Sequence, residues 1–368
     1  SGTNAQQGYD DLFYIILMLC LSQQSQHSCL TLTEVDWTNP FNLRQSDFTK
    51  LEGTQPDTLS PFSDDFTTEA AIRYLLSHHS VGEQKPLQLF NQRLYFSRLA
   101  GYEQTLAQRL LTMSERQLNI DDAVLAQLLT RYFPDDPSID IDWQKVACAI
   151  AATKGFSVIT GGPGTGKTTT VTKLLAILQS LYQAAPLSIK LVAPTGKAAA
   201  RLTESILGAK NKLSEIPDDI NALIPQSAQT IHRLLGVKPF TNKFRHDKSN
   251  PLHVDVLIID EASMVDLSLM AKLIEALPDH ARLILLGDKD QLASVDTGSV
   301  MSDLCQGLVL GQTPRYSKVR CEQLNTLCFN GAVKLNAQSQ SEFKLADCIA
   351  FLQHSYRFDA KSGIGQLA

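Results

Sequence analysis

The feature that most limits the fold is a glycine-rich stretch at residues 161–168, which reads GGPGTGKT. It fits the pattern G-x-x-x-x-G-K-[ST], and it lies between an apolar, strand-like run (residues 156–160) and a helical pattern (residues 167–181). In this setting the glycines let backbone N–H groups surround phosphate oxygens at the start of a helix. The stretch therefore predicts a P-loop that binds a nucleotide within an α/β fold.

The P-loop pattern also predicts which side chains meet the nucleotide. Lys167 is expected to reach the β- and γ-phosphates, and the Thr168 hydroxyl is expected to bind Mg²⁺. The other residues of the predicted nucleotide site are small and lie in the loop or at the start of the helix: Gly161, Gly162, Gly164, Thr165, Gly166 and Thr169. The predicted ligands are ATP and Mg²⁺.

Short apolar runs alternate with helical patterns after residue 140. The strand-like runs are at residues 156–160, 189–193, 254–259 and 282–286. Such alternation predicts a parallel sheet that is covered by helices on both faces. Ligands of these sheets bind beyond the carboxyl ends of the strands. We therefore expect functional residues at these ends.

Acidic and amide side chains follow two of the predicted strands, and a further amide lies on the helix before the P-loop strand. Asp260 and Glu261 follow a buried-type run, so Asp260 can hold Mg²⁺ and Glu261 can polarise the attacking water. Gln291 follows the next strand and can contact the γ-phosphate or that water. Gln144 lies on the helix before the P-loop strand, and its amide can both donate to and accept from the N6/N7 edge of adenine.

Two further segments carry hydroxyl and basic side chains at predicted helix starts. Thr195 and Lys197, with Arg201 one turn later, follow one strand, and His232 and Arg233 follow a second segment. These side chains suit the phosphates of a nucleic-acid strand. Taken alone, either segment could be an ordinary capped helix start.

The first part of the chain differs from the rest in texture and charge. Residues 1–135 are expected to form a separate, mainly helical domain with one strand at residues 87–96, followed by a proline-containing linker. Residues 1–140 carry 9 Lys and Arg against 18 Asp and Glu, a net charge of −9, and the rest carry 24 against 20, or +4. A grip on nucleic acid is therefore expected on the second part, and a protein partner on the first.

Neither a membrane span nor a disulfide framework is indicated. The longest apolar run, residues 13–21, is too short to cross a bilayer and is expected to form a buried helix. Seven cysteines without a C-x-x-C pair are expected to be reduced thiols in a cytoplasmic protein.

Five strings of residues occur in a fixed order along residues 140–306: TGGPGTGKTTTV, LVAPTGKAAARL, QTIHRLLG, LIIDEASMVD and LLGDKDQLASV. In this order and spacing they resemble the superfamily 1 helicases, and most closely the RecD family, the alpha chain of exodeoxyribonuclease V. A weaker resemblance covers residues 1–135, through NQRLY at residues 91–95. The string LQHSYR at residues 352–357 is similar to the motif that opens the family's second motor domain.

The resemblance implies an ATP-dependent DNA helicase subunit that acts in double-strand-break end processing and recombinational repair. It supports the phosphate, metal and water roles given above, and it adds Arg357 as an arginine that reaches the γ-phosphate from the second motor domain. It implies that Thr195, Lys197, His232 and Arg233 face single-stranded DNA, with 5′-to-3′ polarity. The implied protein partners are RecB-like and RecC-like subunits.

The resemblance also implies a domain scheme. Residues 140–310 would form a RecA-like ATPase domain, and residues 311–368 would form a loop and the opening segment of a truncated second motor domain. Because the later helicase motifs are not found, we expect the chain as given to bind ATP and to turn it over weakly. Two other classes stay open: a P-loop remodelling ATPase of the AAA+ kind, and a subunit that binds nucleotide only to hold its shape.

Overall fold

The computed structural model describes residues 3–43, 60–116, 118–137, 139–213, 215–241, 243–291, 298, 300–310, 312–337 and 345–354. The chain forms two compact units. The first contains residues 1–105 with 266–268 and 294–299, and the second contains residues 106–265, 269–293 and 300–368. The sequence led us to expect the first boundary near residue 135, whereas this division falls at residue 105.

The first unit combines helices with a small antiparallel sheet. Its elements are α1 (Thr3–Gln24), β1 (Cys29–Thr31), α2 (Thr68–Ser77), β2 (Leu87–Phe90), β3 (Arg93–Phe96) and the start of α3 (Ser97–Glu115). The strands are ordered β1-β3-β2. Aromatic rings fill much of its core, where Trp37 and Phe62 meet edge to face and Phe62 stacks on Phe66.

Residues 87–96 form a hairpin, which corrects the prediction of one continuous strand. Asn91 and Gln92 both have positive φ, 46° and 63°. Two consecutive residues of this kind make the tight turn whose twist matches that of paired antiparallel strands. The two strands then pair, with Phe90 opposite Arg93.

Helix α1 is only half buried, which corrects the prediction of a buried helix. Ile15, Met18 and Leu19 lie in the core, but Phe13 and Leu17 are 62% and 38% exposed. The helix therefore has one apolar face in the core of the first unit and a second apolar face in solvent. Among the residues that the structure describes, no helix has the length and apolarity needed to cross a membrane.

The second unit is a parallel sheet with helices around it. Its strands are β4 (Phe156–Gly161), β5 (Ile189–Ala193), β6 (Ala228–Thr230), β7 (Val256–Ile259), β8 (Arg282–Gly287) and β9 (Ile349–Leu352). They are ordered β6-β5-β7-β8-β4-β9, and every pair is parallel. Every residue of β4, β7 and β8 is buried, as expected for strands covered on both faces.

Helices surround this sheet, and one of them matches the pattern predicted at residues 167–181. They are α4 (Asp122–Tyr132), α5 (Trp143–Thr153), α6 (Lys167–Leu181), α7 (Gly196–Lys212), α8 (Asp218–Leu223), α9 (Ile231–Leu235), α10 (Leu267–Glu275), α11 (Val300–Leu304) and α12 (Lys318–Phe329). Asp142 caps α5 by accepting from the backbone N–H groups of Gln144 and Lys145. Leu125 and Leu129 of α4 lie in the core of this unit, although the sequence scheme placed them in the first domain.

The chain after residue 310 is also part of this unit, where we had expected a new domain to open. Strand β9 pairs with β4, so that Leu352 lies opposite Gly161. Leu324 and Leu327 of α12 are buried in the same core as α5 and α6. The apolar faces of α12 and β9 complete this core, and the sheet therefore extends beyond the boundary expected at residue 310.

Candidate nucleotide-binding site

The P-loop joins β4 to α6 in the way its glycines require. Gly164 and Gly166 have φ of 80° and 78°, which side-chain-bearing residues rarely adopt. Gly161 has no room for a side chain, because a Cβ there would lie 2.7 Å from Thr165 Oγ1 and 2.9 Å from Leu352 Cβ. Gly166 precedes the first turn of α6, so the loop's backbone leads directly to a helix N-terminus.

Lys167 is held against the loop that it serves. Its Nζ donates to the carbonyl oxygens of Gly161 and Gly162, the second at 3.2 Å. Burial lowers the pKa of Lys167, and the nearby carboxylates of Asp288 and Glu261 oppose that shift. The ammonium group is thus partly desolvated and lies among carboxylates, where a phosphate anion would add to its stabilisation.

Asp260 and Glu261 directly follow β7. The backbone N–H of Asp260 donates to Val192 O at 2.8 Å, which continues the sheet pairing to this residue. Burial raises the pKa of Asp260, while the charges of Lys167 and Arg201 lower it. Asp260 is therefore a half-buried carboxylate that gains from a neighbouring cation.

Glu261 has an unusual backbone. Its φ and ψ are 52° and 42°, the left-handed region. For a residue with a side chain this conformation costs about 1–2 kcal/mol. Strain of this kind concentrates at functional sites, where the surrounding structure fixes a side chain in one direction.

These elements meet at one open cleft of about 750 Å³. It brings together most of the predicted nucleotide site, and the lining includes Gly162, Gly164, Thr165, Gly166, Lys167, Thr168, Thr169, Asp260, Glu261 and Gln291. Gly161 lies behind the loop, at the end of β4, and contributes through its backbone. The sheet topology explains the meeting, since β4, β7 and β8 are neighbours and end at the same edge.

Gln144 does not line this cleft. The Gln144 side chain is buried, and its amide donates to Thr165 O at 3.1 Å, so it supports the P-loop from behind. Its predicted contact with adenine stays a prediction. Arg357 lies outside the described residues.

Sequence reasoning missed the contribution of α7 to the cleft. Arg201, Ser205 and Lys212 line it, although Arg201 was weighed only as a contact for nucleic-acid phosphates. Their spacing places them on one side of the helix, and this helical periodicity was the available signal. Asp288, buried at the end of β8, was also missed; the Gly-Asp pair after a buried strand could have indicated it.

The residues assigned to DNA lie at neighbouring strand ends. Thr195 caps α7 by accepting from the N–H of Ala198, and Thr230 caps α9 by accepting from the N–H of Arg233. Because β5 and β6 pair in parallel, with Ala193 opposite Thr230, both caps are at the same edge of the sheet. The predicted side chains Lys197, His232 and Arg233 are exposed.

The donors in the cleft fit a magnesium nucleotide. Thr168 and Asp260 offer hydroxyl and carboxylate oxygens, the ligands that Mg²⁺ prefers, and Mg²⁺ commonly takes one or two protein ligands beside phosphates and waters. Lys167 and Arg201 supply positive charge, and the P-loop supplies backbone N–H groups.

Comparisons with known proteins agree with a nucleotide-binding site of this kind. Residues 144–297 match the family model described as an AAA domain. A RecBCD enzyme subunit RecD from Haemophilus influenzae is 44% identical over 293 residues, which are 78% of this chain and 44% of that protein. The subunit of the same name from Mycolicibacterium smegmatis is 40% identical over 244 residues, or 65% of this chain and 42% of that protein. The ATP-dependent RecD2 DNA helicase from Deinococcus radiodurans is 42% identical over 149 residues, or 40% and 18%.

The six-stranded parallel sheet and the P-loop cleft define a P-loop nucleotide-binding protein with a RecA-like domain, and this confirms the predicted fold class. The chain spans less than half the length of the curated relatives it matches. Over the matched region it is a relative of the RecD subunits of RecBCD enzymes. The resemblance drawn from the sequence motifs is thereby confirmed.

Proposed function

We propose that the second unit binds and hydrolyses ATP with Mg²⁺ in the P-loop cleft. The observation that carries the proposal is that one cleft unites Lys167, Thr168, Asp260, Glu261 and Gln291. The P-loop N–H groups and Lys167 bind the phosphates, and Thr168 and Asp260 hold Mg²⁺, which neutralises phosphate charge. Charge placed in this way stabilises the transferring phosphoryl group.

Two side chains are proposed to act on the attacking water. Glu261 accepts its proton, because its backbone conformation fixes a carboxylate at the edge of the cleft. Gln291, exposed beside the cleft, orients the water or contacts the γ-phosphate through its amide. Arg357 is proposed to add a positive charge at the γ-phosphate, as the family resemblance implies.

We further propose that the chain uses this ATPase to act on DNA within an assembly of RecB-like and RecC-like subunits. The support comes from the relatives, which are RecD subunits of RecBCD enzymes and a RecD2 DNA helicase. The exposed basic side chains at the ends of β5 and β6 supply contacts for a single strand. Double-stranded DNA ends, as the family resemblance implies, are the proposed substrate.

The first unit is proposed to bind a protein partner. Residues 1–105, which make up most of this unit, carry 6 Lys and Arg against 12 Asp and Glu, and the resulting net charge of −6 repels DNA phosphates. Phe13 and Leu17 of α1 expose apolar surface that a protein can cover.

A single measurement separates the open classes. ATP turnover of the chain, in its assembly and alone, is recorded with and without single-stranded DNA. DNA-stimulated turnover that is lost in Glu261→Gln supports the helicase proposal. Turnover that is not stimulated by DNA and that requires oligomers of this chain supports an AAA+ remodelling ATPase. A nucleotide that binds and is never hydrolysed, in the assembly as well as alone, contradicts both and indicates a structural role.

A further inference from the structure

Helix α7 presents one face to the nucleotide cleft. Ala198, Arg201, Leu202, Ser205 and Lys212 line the cleft. The core side of the helix buries Ala199 and Ile206, so its orientation is fixed by packing. The direction of the Arg201 side chain therefore follows from the fold of the second unit, and it does not depend on a mobile loop.

Arg201 lines the same cleft as Asp260 and as Lys167 and Thr168 of the P-loop. Thr168 and Asp260 are the residues proposed to hold Mg²⁺, which would lie beside the phosphates of a bound nucleotide. An arginine that lines this cleft from α7 is accordingly in the part of the cleft proposed to hold the phosphates.

The Arg201 guanidinium is available for such a contact. It is exposed, and within the described part of the chain it forms neither an ion pair nor a hydrogen bond. By contrast, Lys167 already donates to two carbonyl oxygens of the P-loop. The planar fork of a guanidinium can give two parallel N–H groups to one phosphate, whereas an ammonium acts as a point charge.

We propose that Arg201 donates to the terminal phosphate of bound ATP and so makes the cleft favour the triphosphate over the diphosphate. The inference rests on the proposed function, because it requires that the P-loop cleft binds the nucleotide. It concerns a residue that sequence reasoning assigned to nucleic-acid phosphates. It also places nucleotide recognition on the helix whose first turn carries the proposed DNA contacts Thr195 and Lys197.

The test measures affinity, so it does not depend on turnover. Isothermal titration calorimetry of the wild type, Arg201→Ala and Arg201→Lys is carried out with ADP and with a non-hydrolysable ATP analogue, each with Mg²⁺. Arg201→Ala is expected to weaken the analogue about 10-fold, as a charge-assisted contact predicts, and to leave ADP within about 2-fold. Arg201→Lys is expected to lie between the wild type and the alanine variant, because it keeps the charge and loses the fork.

The matched control is Arg131→Ala, which removes an exposed arginine from α4, outside the cleft lining. It is expected to bind both nucleotides like the wild type. The ADP affinity of Arg201→Ala serves as the folding control, since the P-loop must be intact to bind ADP.

Two results would overturn the role of Arg201 alone: an unchanged analogue affinity in Arg201→Ala, or equal losses for the analogue and ADP. A wild type that binds neither nucleotide would overturn the proposed function, and this inference with it.

Discussion

The carboxyl edge of the sheet has two halves that hold their polar side chains differently. At the ends of β4, β7 and β8, Lys167 and Asp260 are partly buried. Burial lowers the pKa of Lys167 and raises the pKa of Asp260, so it favours the neutral form of each. At the ends of β5 and β6, Thr195 and Thr230 cap the helices α7 and α9, and Lys197 and Arg233 beside them are exposed.

The difference suits the two ligands proposed for this sheet edge. A small polyanion that enters a cleft gains most from charges that are already desolvated and oriented. A long polyanion needs a row of exposed cations whose contacts are weaker, screened by salt and independent of sequence. The two halves are therefore expected to respond separately to substitution.

The largest effect is expected from Lys167→Ala in the buried half. Removing the ammonium deletes the main positive charge at the β- and γ-phosphates, and the loss should be about 2–3 kcal/mol, or about 30- to 150-fold in ATP affinity. Calorimetry with Mg-ATP measures it. Lys197→Ala, which removes an ammonium from the exposed half, is the control and should bind ATP normally. Equal ATP affinity in wild type and Lys167→Ala would show that the buried half of the edge does not bind the phosphates through Lys167.

A smaller effect is expected from the double variant Lys197→Ala with Arg233→Ala. Single-stranded DNA should bind about 10-fold more weakly, because two phosphate contacts are lost. The slope of log affinity against log salt should decrease by about 1.4, or about 0.7 per contact.

Fluorescence anisotropy of a labelled oligonucleotide at several salt concentrations gives both values. Lys318→Ala, which removes an exposed lysine at the start of α12, is the control for charge. An unchanged salt slope would show that this half of the edge does not contact DNA.

The smallest effect concerns stability in the buried half. Glu261→Gly should raise the free energy of unfolding by about 1 kcal/mol relative to Glu261→Gln, because glycine adopts the left-handed conformation at little cost and glutamine keeps the strain. Both variants should lose turnover. Urea unfolding of the two variants gives the comparison. A glutamine variant as stable as the glycine variant would show that the backbone of Glu261 is not strained.

Much of the nucleotide half could be predicted from sequence, because its elements have local signals. The P-loop pattern fixes the loop between β4 and α6, and continuous apolar runs followed by Asp260 or Asp288 mark strand ends at a parallel edge. The hairpin at Asn91 and Gln92 depends on two backbone angles that a short alternating run does not reveal.

The rest depends on contacts between distant segments. Leu352 joins the sheet beside Gly161 only after the chain has passed through α12, and no local pattern announces that pairing. Arg201 could be placed on a helix from its spacing, but the direction of that face is set by the burial of Ala199 and Ile206. The left-handed backbone of Glu261 likewise results from the turn after β7 and has no sequence signature.

Helix α7 has a mechanical consequence. With 17 residues it is a stiff rod, and at about 1.5 Å per residue it is about 25 Å long. Its first turn carries Thr195 and Lys197, and its side carries Arg201 and Lys212 along the cleft. A tilt of about 5° about one end would displace the other by about 2 Å, which is comparable to the helix shifts that carry signals within proteins. Because Thr195 and Lys197 are the proposed DNA contacts, a small movement of α7 at the proposed phosphate site would displace them along a bound strand.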